Sequence, residues 1–108
     1  HPELYKQTGK WTNSPNRWLR RAAAVSLIPA VKNRNLLDKV FEIADKLLLD
    51  EDEMVQKGYG WMLKEAANQF PDEVFDFVMA RKDKMPRTAL RYAIEKYPAA
   101  LKKKAMAK

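Results

Sequence analysis

The feature that most restricts this chain is the spacing of its apolar residues. Leu36, Leu37, Val40, Phe41, Ile43, Ala44, Leu47 and Leu48 recur at the three-and-four interval that lines one side of an α-helix. Val55, Tyr59, Met62 and Ala66 make a second stripe, which Trp61 and Leu63 widen. Val74, Phe77 and Val78 make a third, and Leu90, Ala93, Ile94 and Tyr97 a fourth. Such stripes cannot serve a strand, whose side chains alternate between two faces. No comparable run alternates, and no Asn-Gly or Asp-Gly hairpin turn occurs. The chain is therefore expected to be all-α.

Punctuation places the ends. Ser14-Pro15 reads as a cap followed by proline at the first helical position, where its missing N–H costs nothing. Asp50 with Glu53 reads as an acidic capping box. Pro71, Pro86 and Pro98 each suit a helix opening, and Asp72 and Glu73 suit the positive end of a helix dipole. Pro29 should kink or shorten the helix that contains it. Helices are predicted over residues 2–12, 15–31, 35–49, 52–69, 72–82 and 86–97, with a basic tail from 98.

These helices pair into about three hairpins, and the second members align. Trp18-Leu19-Arg20-Arg21-Ala22-Ala23-Ala24 matches Met54-Val55-Gln56-Lys57-Gly58-Tyr59-Gly60, and Ala89-Leu90-Arg91-Tyr92-Ala93 follows less closely. Arg21, Lys57 and Arg91 then recur at separations of 36 and 34 residues. A period of that size built from helix pairs predicts a HEAT-like α-solenoid. The small residues that follow each cation let neighbouring helices approach closely.

At 108 residues the chain is expected to form a single domain, residues 1–108. Lysine and arginine outnumber aspartate and glutamate by 21 to 14, a formal +7. That balance favours a polyanionic partner. Seven of the acids fall within Asp38 to Glu53, whereas none lies between Glu3 and Asp38. Without cysteine, and with a single histidine at position 1, the chain has no thiolate or histidine cluster for a metal and no Ser-His dyad. No metal and no cofactor are expected. No apolar stretch approaches the ~20 residues of a membrane span. A monomer in the cytoplasm is the default expectation, nucleoid-associated if the source is bacterial. Because the chain opens on His1, a fragment or processed product is expected.

In a solenoid the second helices usually line the concave side, so Arg21, Lys57 and Arg91 form a row. Arg17, Arg20 and Arg87 lie beside it and thicken it. Packed helices stand about 10 Å apart, so such a row can follow a phosphate backbone. Trp18 and Trp61 each back onto an apolar helix face and are expected to pack between repeats. Trp11 ends a polar helix just before Thr12-Asn13-Ser14-Pro15 and is expected to face the groove.

Three segments, WTNSPNRWLRRAAAV, VQKGYGWMLKEAA and MPRTALRYAIEK, resemble the DNA alkylation repair family of HEAT-like (AlkD-like) glycosylases. The resemblance rests on the spacing of Trp11, Ser14, Asn16, Trp18 and Arg21, and on Lys57-Gly58-Tyr59-Gly60-Trp61. Members are about twice this length, so the chain resembles their C-terminal part. The resemblance implies excision of N3- and N7-alkylated purines from duplex DNA. Such bases are already cationic and depart without a general acid; the sugar cation left behind needs a carboxylate and aromatic faces. It also implies an aromatic wall at Trp11 and groove cations at Arg21 and Lys57. The family's catalytic aspartate falls four residues after Trp11, where this sequence has Pro15. A carboxylate from Asp50 to Glu53 could substitute, or could serve only as a helix cap. The catalytic residue is therefore left unassigned. The reading is a protein that excises or recognises alkylated purines in duplex DNA. A non-catalytic HEAT scaffold that binds protein or RNA is the alternative.

Overall fold

A computed structural model describes residues 9–107. It is all-α, and among the described residues there is no strand. The longer helices are α1 (Arg17–Val25), α2 (Leu37–Leu47), α3 (Glu53–Ala67), α4 (Pro71–Arg81), α5 (Arg87–Ala93) and α6 (Ala99–Met106). Short 3-10 turns, Ile28–Ala30 and Arg34–Leu36, link α1 to α2. Residues 9–11 are helical, and the rest of the helix expected over 2–12 lies outside the described residues.

Helix α3 is the centre of the arrangement. It packs against α1 on one side and α5 on the other, while α2 and α4 close its back. The two layers are thus α1–α3–α5 and α2–α4, a solenoid-like stack measuring 39 × 29 × 18 Å. The core lies between the layers. Val55, Tyr59, Met62 and Ala66 of α3 are fully buried there, against Val40, Ile43 and Ala44 of α2 and Val74 and Val78 of α4 in the same cluster. Inside the core the Tyr59 hydroxyl donates to Leu48 O at 2.9 Å, which satisfies a carbonyl in the turn after α2. Burial pushes the Tyr59 hydroxyl's pKa above its ordinary value, and the Asp50 charge adds to the rise.

Several ends differ from the sequence reading, each for a local reason. Pro15 lies outside the first long helix: the Asn16 side chain, not Ser14, accepts the capping bond from Trp18 N at 2.8 Å. The Ser14 hydroxyl instead accepts from Asn16 N at 3.1 Å, so Ser14 and Asn16 hold the turn together. Asp52, rather than Asp50, caps α3, accepting from Met54 N at 2.9 Å and Val55 N at 3.4 Å. Pro29 shortens its helix, which stops at Val25, and opens a 3-10 turn instead. Pro71 occupies the first turn of α4, and Pro86 and Pro98 stand at the N-caps of α5 and α6 as expected.

Candidate nucleic-acid interface

The outward side of α3 is the part left after α1, α5 and the second layer have taken the others. Lys57 and Trp61, one turn apart, occupy it. Lys57 is half-buried and pairs with Glu53 at 3.4 Å. Trp61 is 36% exposed, and Trp18 on α1 is 54% exposed. Both tryptophans were expected to pack between repeats, and the structure corrects this. In α3 the buried stripe runs through Val55, Tyr59, Met62 and Ala66, and Trp61 stands on the Lys57 side of the helix instead. In α1 the short residues Ala23 and Ala24 face inward, so Trp18, at the capped end, is left in solvent. A helical wheel of α3 would have placed Trp61 beside Lys57.

The arginines of α1 do different jobs. The Arg17 guanidinium lies 5.0 Å from the Trp18 ring centre and 3.4 Å from Asp52 Oδ2, with its side chain 53% exposed. Arg20 is drawn inward. Its Nε donates to Asp50 Oδ2 at 2.7 Å, and its Nη1 donates to Ser14 O and Pro15 O at 3.0 and 3.2 Å. It thereby ties the turn before α1 to the turn before α3. The Arg21 chain crosses α3 at Gly58, and its Nη1 donates to Met54 O at 2.7 Å. Arg20 and Arg21 are accordingly fixed by protein partners.

On α5, Arg91 is exposed and has no ion-pair partner among the described residues. Arg87, also exposed, donates to Met106 O at 3.3 Å. Two residues not anticipated from the sequence, Lys64 of α3 and Tyr92 of α5, meet where these two helices pack. Lys64 pairs with Glu95 at 3.2 Å and lies 5.9 Å from the Tyr92 ring centre. The signal for Lys64 was the same helical spacing that relates Lys57 to Trp61, continued by three residues.

Trp11 was expected to face the groove. It is half-buried and packs against the core cluster, where the helix ending at residue 11 meets the rest of the fold. The buried Thr12 hydroxyl closes that end by donating to Gly9 O at 2.7 Å.

Carboxylates near α1 are already engaged. Asp50 holds Arg20 and accepts from Asp52 N at 2.9 Å. At Asp52, desolvation acts to raise the carboxyl's pKa, but the Met54 and Val55 N–H groups and the Arg17 guanidinium outweigh it and hold the group below its ordinary value. Glu53 faces Lys57. Among the described residues no cluster of His, Asp or Glu is placed to hold a metal ion, and no helix is long and apolar enough to cross a membrane.

The surface therefore combines exposed indoles with lysines and arginines spaced by successive helices, an arrangement that suits a polyanion carrying aromatic bases. A family model described as DNA alkylation repair enzyme matches residues 1–97. No curated protein matches the chain.

Proposed function

The chain belongs to the DNA alkylation repair enzyme family, and from that premise we propose that the outward side of α1, α3 and α5 holds duplex DNA and recognises alkylated purines in it. Membership places the protein in DNA alkylation repair; the substrate and the contacts are the proposal. One observation carries it: Trp18 and Trp61 are exposed while the cations Lys57 and Arg91 stand on the same layer of helices. Lysine and arginine supply the sequence-independent attraction to phosphates. Indole faces favour a purine that alkylation has made cationic. Arg17 on α1 and Arg87 on α5 are further exposed cations of these helices, and Arg20 and Arg21 brace the layer through Asp50 and Met54 O.

Of recognition and excision, this geometry supports recognition better. In excision the C1′–N9 bond breaks with its electron pair leaving on the alkylated base. Water then adds to the sugar cation and gives up a proton. A carboxylate facing the sugar would stabilise that cation. Pro15 supplies none, Asp50 is bound to Arg20, and Asp52 caps α3. The test is binding of undamaged and alkylated duplexes of one sequence, beside an assay for released 7-methylpurine. Tighter binding of the alkylated duplex with negligible base release is expected. Equal affinity for both would remove lesion recognition. Rapid release would make the chain a glycosylase, with exposed Glu51 and Glu53 the first carboxylates to substitute.

A further inference from the structure

Residues 81–108 contain ten lysines and arginines against two acids, Asp83 and Glu95, a net +8. The whole chain is +7, so the first eighty residues together stand at −1. The positive excess is therefore entirely at the C-terminal end. The last part of that segment lies beyond the family match, which stops at residue 97, before α6 opens at Ala99.

The structure sharpens the contrast. In the first eighty residues Arg17, Arg20, Arg34, Lys39, Lys46, Lys57 and Lys64 sit in ion pairs, and Lys10, Arg21 and Lys32 have none among the described residues. In the last segment Arg81 and Lys96 are paired, with Asp45 and Glu65. Lys84, Arg91, Lys102, Lys103 and Lys104 have no such partner among the described residues.

Helix α6 is docked on the body of the fold. Ala105 is buried, and Leu101 and Met106 pack against the core. Lys82 donates to Ala107 O and Arg87 to Met106 O, so two cations hold the carbonyl end of α6, where the helix dipole is negative. That docking sets Lys102 beside Arg91: the two line one cleft with Ile94, Glu95 and Met106. Glu95, the acid in the cleft, already pairs with Lys64 at 3.2 Å.

We infer that α6 is a further cationic step of the DNA-binding surface, in which Lys102 continues the line from Lys57 and Arg91 onto phosphates beyond the family-shared part of the chain. This rests on the DNA reading above. Charge complementarity selects the partner. Packed helices stand about 8–10 Å apart, and duplex DNA presents a charge every ~1.7 Å of its axis, so each step of the row meets phosphate.

The test is a salt titration of duplex binding by the full chain, with an undamaged labelled duplex, for the natural protein, Lys102→Ala, Lys57→Ala and Lys32→Ala. Lys32 is exposed in the turn between α1 and α2 and controls for loss of one charge. Removing one cation from a phosphate flattens the slope of log K against log salt by about 0.9. Lys102→Ala and Lys57→Ala are both expected to show this, with unchanged helical circular dichroism, and Lys32→Ala is not. A flattened slope for Lys57→Ala with an unchanged one for Lys102→Ala would overturn the α6 step and leave the DNA reading intact. Absence of duplex binding by the natural protein at low salt would overturn both.

Discussion

Gly60 of α3 touches Tyr92 of α5 so closely that a Cβ on residue 60 would lie 2.7 Å from the Tyr92 Cβ and 2.9 Å from Ala89 O. This approach sets the distance between two of the three helices that carry the candidate surface. Because Ala89 presents backbone there, a side chain at 60 can be admitted only by moving α5. Gly60→Ala is expected to destabilise the fold by about 1–3 kcal/mol, the usual cost of overpacking, despite alanine's better helix propensity. Gly58 differs in degree, because the atom 3.0 Å from its Cβ position is the side-chain Cγ of Arg21 rather than backbone, and it need give by only a few tenths of an ångström. Gly58→Ala is expected to change stability by less than about 0.5 kcal/mol, the small helix gain offsetting the crowding. Urea unfolding of both variants checks the order; equal losses would contradict it.

Arg20 joins three segments through Asp50, Ser14 O and Pro15 O, and it and Asp50 are largely shielded from water. Arg20→Ala leaves the Asp50 carboxylate and two carbonyls short of a donor and is expected to cost about 2 kcal/mol. Arg17→Ala removes a longer, more exposed pair and is expected to cost less than ~0.5 kcal/mol. Thermal unfolding of the two variants at low salt distinguishes these roles.

Much of this fold was legible because apolar periodicity and burial report the same thing. The stripes through Val40, Ile43 and Leu47, through Val55, Tyr59 and Met62, and through Leu90 and Ala93 are all buried. Caps were harder, since Ser14, Asn16, Asp50 and Asp52 are all competent acceptors within a few residues of a helix start. Only the backbone path decides among them, and Asn16 and Asp52 have the extended conformation a cap requires. The candidate site was legible in its spacing but not in its exposure. Trp18 and Trp61 look like core residues by type, and Arg20 looks like a surface cation, until Asp50, thirty residues on, is brought beside it.

Alkaline pH should loosen the α4–α6 corner through Tyr97. Its hydroxyl donates to Pro71 O at 2.7 Å, and burial, with Asp72 and Asp76 nearby, pushes its pKa up to about 12. The unfolded chain ionises near ~10, so it releases this proton first as pH rises. Stability from this group is therefore complete below about pH 10 and is lost between there and about 12. Tyr97→Phe is expected to cost about 1 kcal/mol at neutral pH and to make the alkaline loss shallower, with Tyr59 left to supply the remainder. An unchanged alkaline profile would exclude Tyr97 as a contributor.

Pro15→Asp tests the resemblance at the position where the family's aspartate is missing. Pro15 is exposed and lies outside α1, so the substitution is expected to leave stability nearly unchanged. The new carboxylate would stand beside Arg20, whose Nη1 already donates to the Pro15 carbonyl. Trp11, the wall it would have to work with, packs against the core. Pro15→Asp is therefore expected to bring no gain in 7-methylpurine release. A rise approaching the ~10²–10³ that one well-placed group commonly supplies would restore Trp11 and residue 15 as the catalytic pair.

Trp61 and Lys57 separate the two kinds of interaction proposed for the surface. Stacking of a base on an aromatic side chain is commonly worth ~1–3 kcal/mol, and it gains further when the base is cationic. A lysine on a phosphate is indifferent to the lesion and sensitive to salt. Trp61→Ala is thus expected to weaken binding of an alkylated duplex by more than about ten-fold, with a smaller loss for the undamaged duplex and an unchanged salt slope. Lys57→Ala is expected to weaken both duplexes alike and to flatten the slope by about 0.9. Because Trp61 is more than a third exposed and Val55, Tyr59 and Met62 carry the packing of α3, its truncation leaves the core intact. Equal losses on damaged and undamaged DNA for Trp61→Ala would mean that its indole packs on the backbone and reads no lesion.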